Sequence, residues 1–170
     1  QSGLPQNNRV GDFDAFALIY LARDLGLGID AVEKALTSQS GLKGMSGLAS
    51  GDFRDLWVAT ANGNEDARIA LDVFVAAIRK YFGQFLVELN GADVLIFTAG
   101  VGENDWEVRE KVCSNLDFCG LELDRELNRR TRSSETVIST PRSKIEVRII
   151  PTNEELIIAR NAWAKLSTLN

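Results

Sequence analysis

The stretch Leu95-Ile96-Phe97-Thr98-Ala99-Gly100-Val101-Gly102-Glu103-Asn104 decides the fold class, because an apolar run ends there in glycines and a helical pattern follows. The run 94–97 has the length and the β-branched content of a buried strand. Apolar residues with helical spacing come next, at Trp106, Val108, Val112 and Leu116. The order of strand, glycine turn and helix predicts a βα unit of an α/β protein.

The two glycines of this stretch give it a possible function. A strand, a tight glycine turn and a helix N-terminus present backbone N–H groups and the positive end of a helix dipole to an anion. Gly100 and Gly102 lack a Cβ atom, so a phosphate or a ribose can approach the backbone closely. The stretch therefore predicts either a nucleotide site or an ordinary βα turn that needs glycine for a positive φ, and by itself it does not separate the two.

Length and composition are those of one globular domain. The chain has 170 residues, 45% hydrophobic and 25% charged, so it can bury a core. Its net charge of −5 argues against a nucleic-acid partner, and the basic cluster at 129–132 is typical of a solvated loop or helix end. No apolar run reaches the roughly 18 residues of a membrane span, and residues 1–5 lack signal-peptide features. We therefore expect a cytoplasmic protein without a membrane partner.

The absence of histidine from the sequence restricts the chemistry. It removes Ser-His-Asp and Cys-His catalysis, His-ligated zinc and a histidine general base. The two cysteines, Cys113 and Cys119, have no metal or redox spacing and are typical of buried thiols in a cytosolic protein. Catalysis would rest on Asp, Glu, Arg, Lys and backbone groups, with Mg²⁺ where a metal is needed.

The rest of the chain is helix-rich with few strands. We expect an extended lead-in over residues 1–10 and an irregular, glycine-rich connection over 40–51. The predicted helices cover about 13–25, 30–36, a segment opening at Asp52, 65–89, a segment carrying Arg109, 124–129 and 154–166. The predicted strands are 94–97, 121–123, 136–139 and 147–150. This is an α/β pattern with a small sheet, and its strands are too few for a self-contained sheet.

Periodicity and cap residues predict how the helices pack. Apolar residues that share one helix face, and that we expect to be buried, are Phe16, Ile19, Tyr20 and Leu25 in the first helix and Ile69, Val73, Ala76, Ala77, Tyr81 and Phe85 in the longest. We expect Asp12 or Asp14 to cap the first helix. Thr152 or Asn153 is expected to cap the last.

Four separated motifs carry a resemblance to a known family. They are Asn8-Arg9-Val10-Gly11-Asp12-Phe13-Asp14; Ser40-Gly41-Leu42 with Gly44-Met45-Ser46-Gly47 and Asp52-Phe53-Arg54-Asp55-Leu56; Phe97-Thr98-Ala99-Gly100-Val101-Gly102-Glu103-Asn104 with Glu107-Val108-Arg109; and Pro151-Thr152-Asn153-Glu154-Glu155-Leu156. In this order they resemble the C-terminal portion of the acetate kinase family, which comprises acetate and propionate kinases. The resemblance extends over almost the whole chain.

The resemblance implies a fold and an activity. The fold is a helix-rich C-terminal domain of the sugar kinase, actin and heat-shock ATPase superfamily (ribonuclease H-like), with residues 1–170 as one nucleotide-binding domain and the N-terminal domain absent. The activity is transfer of the γ-phosphoryl group of ATP to acetate or a similar short carboxylate, giving an acyl phosphate and ADP. The implied enzyme is a homodimer that uses Mg²⁺.

The resemblance also assigns site residues to this chain. Those at the adenosine are Asp52, Phe53 and Arg54, and those around the rest of the nucleotide are Gly100, Val101, Gly102 and Asn104. The catalytic residue is Arg9, which would reach the transferring phosphoryl group, and the metal residue is Glu154, which would serve Mg²⁺ directly or through water. An arginine fork suits the charge on the phosphoryl oxygens, and a carboxylate suits Mg²⁺.

The chain departs from the family pattern in two respects. Asn8 and Val10 flank Arg9 where threonine and serine are usual, and Ala15 stands where proline is common. The family's N-terminal half, which supplies a metal-site asparagine, a substrate-side arginine, a catalytic aspartate and a histidine, has no counterpart here. We therefore expect the chain to be inactive alone, and the choice among acetate, propionate and butyrate stays open.

Two other functions are open to this sequence. A non-catalytic dimerisation or regulatory module would keep a degenerate nucleotide site, and its long helices could supply a self-complementary face. A dinucleotide-binding βαβ unit is disfavoured, because Asp105 stands where the third glycine should be.

Several charged residues also have purely structural interpretations. Glu103, Asp105 and Glu154 could be first-turn acids of helices. Arg54 could pair with Asp52 or Asp55 on the surface. Arg109 could form an exposed ion pair with Glu103, Glu107 or Glu110, which would contribute less than ~1 kcal/mol to stability.

Overall fold

The structure, a computed structural model, describes residues 2–167 apart from the side chain of Glu154. The chain divides into two compact units, Gln1–Gly91 and Ala92–Asn170. The predicted α/β class with many helices and a small sheet is confirmed. The single domain expected over 1–170 stays a prediction.

Every secondary-structure element among the described residues of the first unit is a helix. Its helices are α1 (Ala15–Arg23), α2 (Ile29–Ser38), α3 (Gly41–Ser46), α4 (Phe53–Ala61) and α5 (Glu65–Glu88). Both α3 and α4 pack against α5. The buried apolar residues of this unit are Val32, Leu42, Leu56, Ala67, Ala70, Leu71, Phe74 and Val75. The helix α3 corrects the expected irregular connection over 40–51.

The buried face of α5 is not the predicted one. Its core residues 67, 70, 71, 74 and 75 recur at helical spacing. By contrast, Ile69, Val73 and Phe85 of the predicted face are 44%, 40% and 56% exposed. This helix carries apolar residues on two faces, so periodicity indicates which residues lie together but not which face is covered.

The apolar face predicted for α1 is also uncovered. None of residues 15–23, all of which the structure describes, is buried. Phe16 is 77% exposed and Tyr20 is 52% exposed. The prediction that this face is buried is therefore wrong for the described chain. The cap of α1 is Asp14, whose carboxylate accepts the backbone N–H of Phe16 at 2.9 Å.

The first residues form a folded loop, not the extended lead-in that we expected. Carbonyl oxygens of this loop accept hydrogen bonds from the start of α3: Gln6 O from Leu42 N at 2.9 Å and Asn7 O from Lys43 N at 2.8 Å. These bonds satisfy two N–H groups that a helix N-terminus leaves without intrahelical partners. At Gly41, where φ is +64°, an added Cβ would overlap the carbonyl oxygens of Gln6 and Arg9. The loop and α3 therefore specify each other.

The second unit contains a three-stranded sheet, with helices between the first and second strands and after the third strand in sequence. Its elements are β1 (Val94–Phe97), α6 (Ala99–Asn104), α7 (Trp106–Cys113), a 3₁₀ turn (Asp117–Cys119), α8 (Arg125–Arg130), β2 (Thr136–Val137), β3 (Glu146–Ile149) and α9 (Glu154–Ser167). The strand order is β1-β3-β2, with β1 parallel to β3 and β2 antiparallel to it. The buried apolar residues are Phe97, Val108, Val112, Cys113, Leu116, Leu121, Ile138, Ile145, Val147 and Ile149.

Several predicted details of this unit need correction. The strand at 94–97 is confirmed, but Val94 and Ile96 are 43% and 50% exposed, so only one face of β1 is covered. The strand predicted at 121–123 is a single bridge between Leu123 and Ser139 in the described chain. Cys113 is buried as expected, whereas Cys119 is only partly buried.

The expected tight glycine turn is a short helix. Both glycines of the opening stretch lie inside α6, and the positive φ, +59°, belongs to Ala99. The turn therefore does not use glycine for its left-handed position, which removes the structural alternative that we had considered for Gly100 and Gly102. Nowhere in the part of the chain that the structure covers is a helix both long and apolar enough to cross a membrane.

The contact between the first loop and α3 predicts a large effect of Gly41→Ala. The methyl group would meet backbone oxygens at a left-handed position, so we expect a loss of roughly 2–5 kcal/mol of unfolding free energy. Gly83→Ala in α5 is the matched control, because no described atom lies within 4 Å of a Cβ built there. That variant should gain up to ~1 kcal/mol. Urea unfolding measures the unfolding free energy of both variants. Equal changes in the two variants would contradict the contact between the first loop and α3.

Candidate functional site

Arg9 lies on the folded loop of the first unit with an exposed side chain. Its guanidinium donates from Nη1 to Gln6 Oε1 at 3.3 Å, and its carbonyl oxygen accepts the N–H of Gln6 at 3.0 Å. Both contacts stay within the loop. The position of Arg9 therefore depends on how firmly the loop is attached to the helices.

Asp12, the other of the two expected caps of α1, instead attaches this loop to α5. Its carboxylate accepts hydrogen bonds from Gly3 N, Lys80 Nζ and Tyr81 Oη, each at 2.8 Å. The hydrogen bond from Lys80 is the main reason that the pKa of Asp12 lies well below its ordinary range, with the N–H of Gly3 next. The same contacts raise the pKa values of Lys80 and Tyr81.

A cleft of about 510 Å³ lies beside this attachment. It is lined by the loop, by α3 and by α5, and the charged side chains of its lining are Asp12 and Lys80. These two groups form an ion pair, and the rest of the lining is largely apolar.

The predicted adenosine residues stand together at the start of α4. Asp52 caps the helix by accepting the N–H of Arg54 at 2.9 Å, and it also binds the Arg54 guanidinium bidentately, from Nε at 3.0 Å and Nη2 at 2.9 Å. These bonds lower the pKa of Asp52 to about 2. The Arg54 side chain is 89% exposed, so its pairing with Asp52, one of the two expected partners, leaves it accessible. The ring of Phe53 meets that of Phe74 edge-on, with centroids 4.8 Å apart.

The two glycines of α6 have different environments. A Cβ built at Gly102 would lie 3.3 Å from the carbonyl carbon of Phe97, so packing of α6 on the end of β1 favours glycine there. At Gly100, which is exposed, no described atom lies within 4 Å of a built Cβ, and φ is not positive. Internal structure therefore explains Gly102 but not Gly100. Val101, between them, is partly exposed.

Asn104 ends α6 and is engaged with its neighbours. Its Nδ2 donates to Gly100 O at 3.0 Å, and its Oδ1 accepts the hydroxyl of Ser133 at 2.8 Å. These bonds orient the side chain along the helix. The residue remains exposed, with one further N–H of its amide available for a ligand.

Arg109 supports α6 from inside the unit, and the expected exposed ion pair is wrong. The residue is completely buried. Its guanidinium donates to Gly102 O at 2.9 Å, to Asn128 Oδ1 at 2.7 Å, to Asn128 O at 3.0 Å and to Thr131 O at 2.9 Å. Burial lowers its pKa, and these acceptors compensate the buried charge.

Other groups donate hydrogen bonds to the carbonyl oxygens at the end of α6. The carbonyl of Glu103 accepts the N–H of Ser133 at 3.3 Å, and that of Asn104 accepts Arg132 Nη1 at 2.9 Å. The carbonyl of Val101 accepts the N–H of Asp105, whose side chain caps α7. The last carbonyls of this six-residue helix are thus paired with groups that come later in the chain.

Glu103 joins α6 to the segment before α9. It is 8% exposed, and its Oε1 accepts the Thr152 N–H at 2.8 Å and the Thr152 hydroxyl at 3.0 Å. The backbone hydrogen bond from Thr152 is the main cause that lowers the pKa of Glu103. The interpretation of Glu103 as a first-turn acid is wrong, because it lies near the end of α6 and its principal contact is 49 residues away.

Glu154, the predicted metal residue, begins α9, and its side chain lies outside the described residues. Asn153 caps this helix by accepting the N–H of Leu156 at 3.0 Å, as one of the two expected caps. Among the described residues, no three His, Cys, Asp or Glu side chains group as metal ligands. Mg²⁺ is commonly held by one or two carboxylates together with substrate phosphates and water.

The sheet brings two of the sequence motifs together. Ile150 N donates to Phe97 O at 2.9 Å, and Thr98 Oγ1 donates to Ile150 O at 2.9 Å. The glycine-containing segment and the segment that leads to Glu154 therefore leave the sheet side by side. Sequence reasoning missed three residues that hold this arrangement: Asn128, Thr131 and Thr152. Asn128 can be recognised in retrospect as a polar residue inside a helix. No local sequence pattern indicates that its partner is Arg109.

Comparisons with known proteins are consistent with one family. A family model described as the acetokinase family matches residues 2–160. The chain is 46% identical over 159 residues to an acetate kinase of Clostridioides difficile (strain 630), covering 94% of this chain and 39% of that protein. The chain thus spans about two fifths of the length of the curated relatives it matches.

Solved structures give the same result. A crystal structure of Porphyromonas gingivalis acetate kinase is similar with a TM-score of 0.89 at 39% identity, covering 97% of this chain and 41% of that one. A propionate kinase from Francisella tularensis subsp. tularensis SCHU S4 is similar with a TM-score of 0.83 at 32% identity, covering 93% of this chain and 40% of that one.

The attachment of Asp12 predicts a pH-dependent stability. A carboxyl group with a lowered folded-state pKa stabilises fully above its unfolded pKa of about 3.9, and this contribution is lost as the pH falls through the folded-state value. We expect Asp12→Asn to be less stable than the wild type at pH 7, and the difference to shrink progressively below about pH 4. Urea unfolding between pH 7 and pH 2 measures it.

The Lys80→Met background provides the control for this prediction. Lys80 is the main partner of Asp12. Without it, the stability that Asp12→Asn removes at pH 7 should be smaller and should depend less on pH. A difference that stays constant with pH in the wild-type background, or that changes with pH to the same extent in both backgrounds, would show that the Asp12 carboxylate is not stabilised by these contacts.

The buried guanidinium predicts a large cost for Arg109→Met. Each carbonyl left unpaired costs about 1–3 kcal/mol, so we expect a loss of roughly 3 kcal/mol or more of unfolding free energy. Arg125→Met, on the exposed side of α8, is the matched control and should cost less than ~1 kcal/mol. Equal losses for the two variants would contradict the supporting role of Arg109.

Proposed function

The chain belongs to the acetokinase family, and from this membership we propose that it is the nucleotide-binding part of an enzyme that transfers the γ-phosphoryl group of ATP to acetate or a similar short carboxylate. The products are acetyl phosphate, or the corresponding acyl phosphate, and ADP, and Mg²⁺ accompanies the nucleotide. The names of the similar proteins, acetate kinases and a propionate kinase, support this reaction and leave the carboxylate open.

The observation that carries the proposal is the environment of Gly100. Glycine inside a helix costs up to ~1 kcal/mol relative to alanine, yet neither backbone conformation nor packing requires it at this position. Close approach of a ligand to the backbone would account for it, because Gly100, unlike the equally open Gly83 of α5, lies just after the carboxyl end of β1. Gly100, Val101, Gly102 and Asn104 would surround the nucleotide. The carboxyl edge of parallel strands, where α6 begins, is also where α/β folds commonly bind ligands.

The start of α4 would contact the adenosine. Asp52, Phe53 and Arg54 lie on adjacent positions, and the exposed Arg54 guanidinium is held by Asp52. A ring such as Phe53, whose edge-on contact with Phe74 leaves it partly exposed, can offer a face to adenine. The carboxylate fixes the direction of the guanidinium before any ligand arrives, which reduces the entropy lost on binding.

Arg9 and Glu154 would serve the transferring group and the metal. An arginine fork answers the charge that spreads over the phosphoryl oxygens in the transition state. Mg²⁺, when bound, neutralises charge on the phosphates, and Glu154 would hold it directly or through water. Arg9 is exposed and its side chain bonds to Gln6 of its own loop, so it is accessible to such a group.

The wider assignments follow from the family resemblance. The chain would be a nucleotide-binding C-terminal domain over 1–170 in the sugar kinase, actin and heat-shock ATPase superfamily, part of a cytoplasmic homodimer. The strands β1 and β3 are parallel and each is followed by a helix, which supports this fold. We expect no acetyl phosphate from the 170-residue chain alone, since a phosphoryl-transfer site must hold both reacting groups and the chain spans two fifths of its relatives.

Calorimetric titration with Mg-ADP tests the proposal. We expect a dissociation constant that is roughly micromolar to millimolar for the chain. Gly100→Ala should weaken binding about tenfold or more, because its methyl group would meet the ligand, while the unfolding free energy stays equal or rises. Arg54→Ala should also weaken binding about tenfold by removing a charge-assisted contact.

Two controls make the titration specific. Gly83→Ala changes a helical glycine that also has open space, and Arg23→Ala removes an exposed arginine that, like Arg54, pairs with a neighbouring aspartate. Both should bind Mg-ADP as the wild type does. No binding by a folded wild-type chain, or unchanged binding by both Gly100→Ala and Arg54→Ala, would contradict the proposed nucleotide site.

A further inference from the structure

We propose that Glu103 is a positioning residue, which fixes α6 and the 150–153 segment against each other so that the proposed nucleotide and Mg²⁺ groups keep a constant spacing. The inference rests on the proposed function for what these segments hold. It assigns Glu103 no contact with the nucleotide or the metal.

The geometry around the carboxylate carries the inference. A first-turn acid that merely complements a helix dipole stays in water, whereas Glu103 is 8% exposed. Its Oε1 accepts two hydrogen bonds from one residue, Thr152, through the backbone N–H and through the hydroxyl. A nearly buried carboxylate costs free energy unless such donors compensate it. The pairing of Glu103 with Thr152 is therefore specific.

The position of this contact gives it a function. Where β1 and β3 end, backbone and side-chain bonds between Phe97, Thr98 and Ile150 still join the two chain segments. Past that point the segments separate, one into α6 and the other toward α9. The Glu103–Thr152 contact spans the separation. Glu103 follows Gly100 on one segment, and Thr152 precedes Glu154 on the other. A nucleotide that uses α6 while its metal uses Glu154 needs this spacing to be fixed.

Thr152→Val and Thr152→Ser form the sharpest pair of variants. Valine has nearly the shape of threonine and removes only the hydroxyl donor, whereas serine keeps it. Glu103→Gln removes the charge but leaves an oxygen that can accept the Thr152 N–H. Glu126→Gln, an exposed acid on α8, is the matched control. These conservative changes keep the test informative where Glu103→Ala fails to fold.

Amide hydrogen exchange of the chain without ligand is the first measurement. We expect Thr152→Val and Glu103→Gln to speed exchange about tenfold in residues 99–104 and 150–153 together, since a hydrogen bond to a charged group is lost or weakened. Thr152→Ser and Glu126→Gln should leave both segments unchanged. Exchange at wild-type rates in both segments for Thr152→Val and Glu103→Gln would overturn the inference.

The affinity for ADP with and without Mg²⁺ is the second measurement. If Glu103 fixes the spacing of the two groups, Thr152→Val and Glu103→Gln should reduce the gain in ADP affinity that Mg²⁺ gives by about fivefold or more. The change in ADP affinity in the presence of a chelator should be smaller. A purely structural role would weaken ADP binding equally in both conditions, and that result would overturn the positioning role. If the wild-type chain binds no ADP, the proposed function fails and the positioning role with it, while coupled exchange of the two segments would still report the contact itself.

Discussion

The parallel pairing of β1 with β3 is the constraint on which the second unit depends. Phe97 and Ile149 are partners in this register, so the chain leaves both strands at the same edge of the sheet. Segments that are about 50 residues apart in sequence therefore begin side by side, as the contact between Phe97 and Ile150 shows. A parallel pair cannot be closed by a short hairpin, and the intervening residues form the helices and the turn that support this edge.

The short helix α6 obtains its geometry from the residues around it. Six residues are too few to form a stable helix in isolation. Its carbonyls bind Arg109, Arg132 and the N–H of Ser133, and its Glu103 carboxylate binds Thr152. Because unpaired buried polar groups are costly, these bonds leave α6 few alternative positions. A backbone held in this way can meet a ligand without further ordering, which is the property that a nucleotide site requires.

Local patterns in the sequence predicted much of this fold. The strand at 94–97, the long helix α5 and the caps Asp14 and Asn153, each one of two expected candidates, follow from short-range spacing and side-chain chemistry. These features need no knowledge of distant contacts. The sequence was also sufficient to identify the family, because its motifs are specific in type and in order.

The parts that were not predicted depend on distant partners. Periodicity located the apolar faces of α1 and α5 but not what covers them, so Phe16 and Phe85 are exposed where burial was expected. Arg109 resembles a surface residue in a charged helix, and its burial is decided by acceptors on Asn128 and Thr131. The glycines could not be distinguished in sequence either, since only the neighbouring strand shows that Gly102 is required by packing and Gly100 is not.

The claim that the carboxyl edge of β1 and β3 binds nucleotide is tested most directly by two-dimensional amide NMR spectra of the chain during addition of Mg-ADP. We expect the amide signals of residues 98–104 and 150–153 to shift together and to saturate at one ADP concentration. Signals of β2 and of the exposed face of α8 should stay in place. Shifts that spare residues 98–104, or that involve them only in proportion to shifts across the whole second unit, would contradict a nucleotide site at this edge.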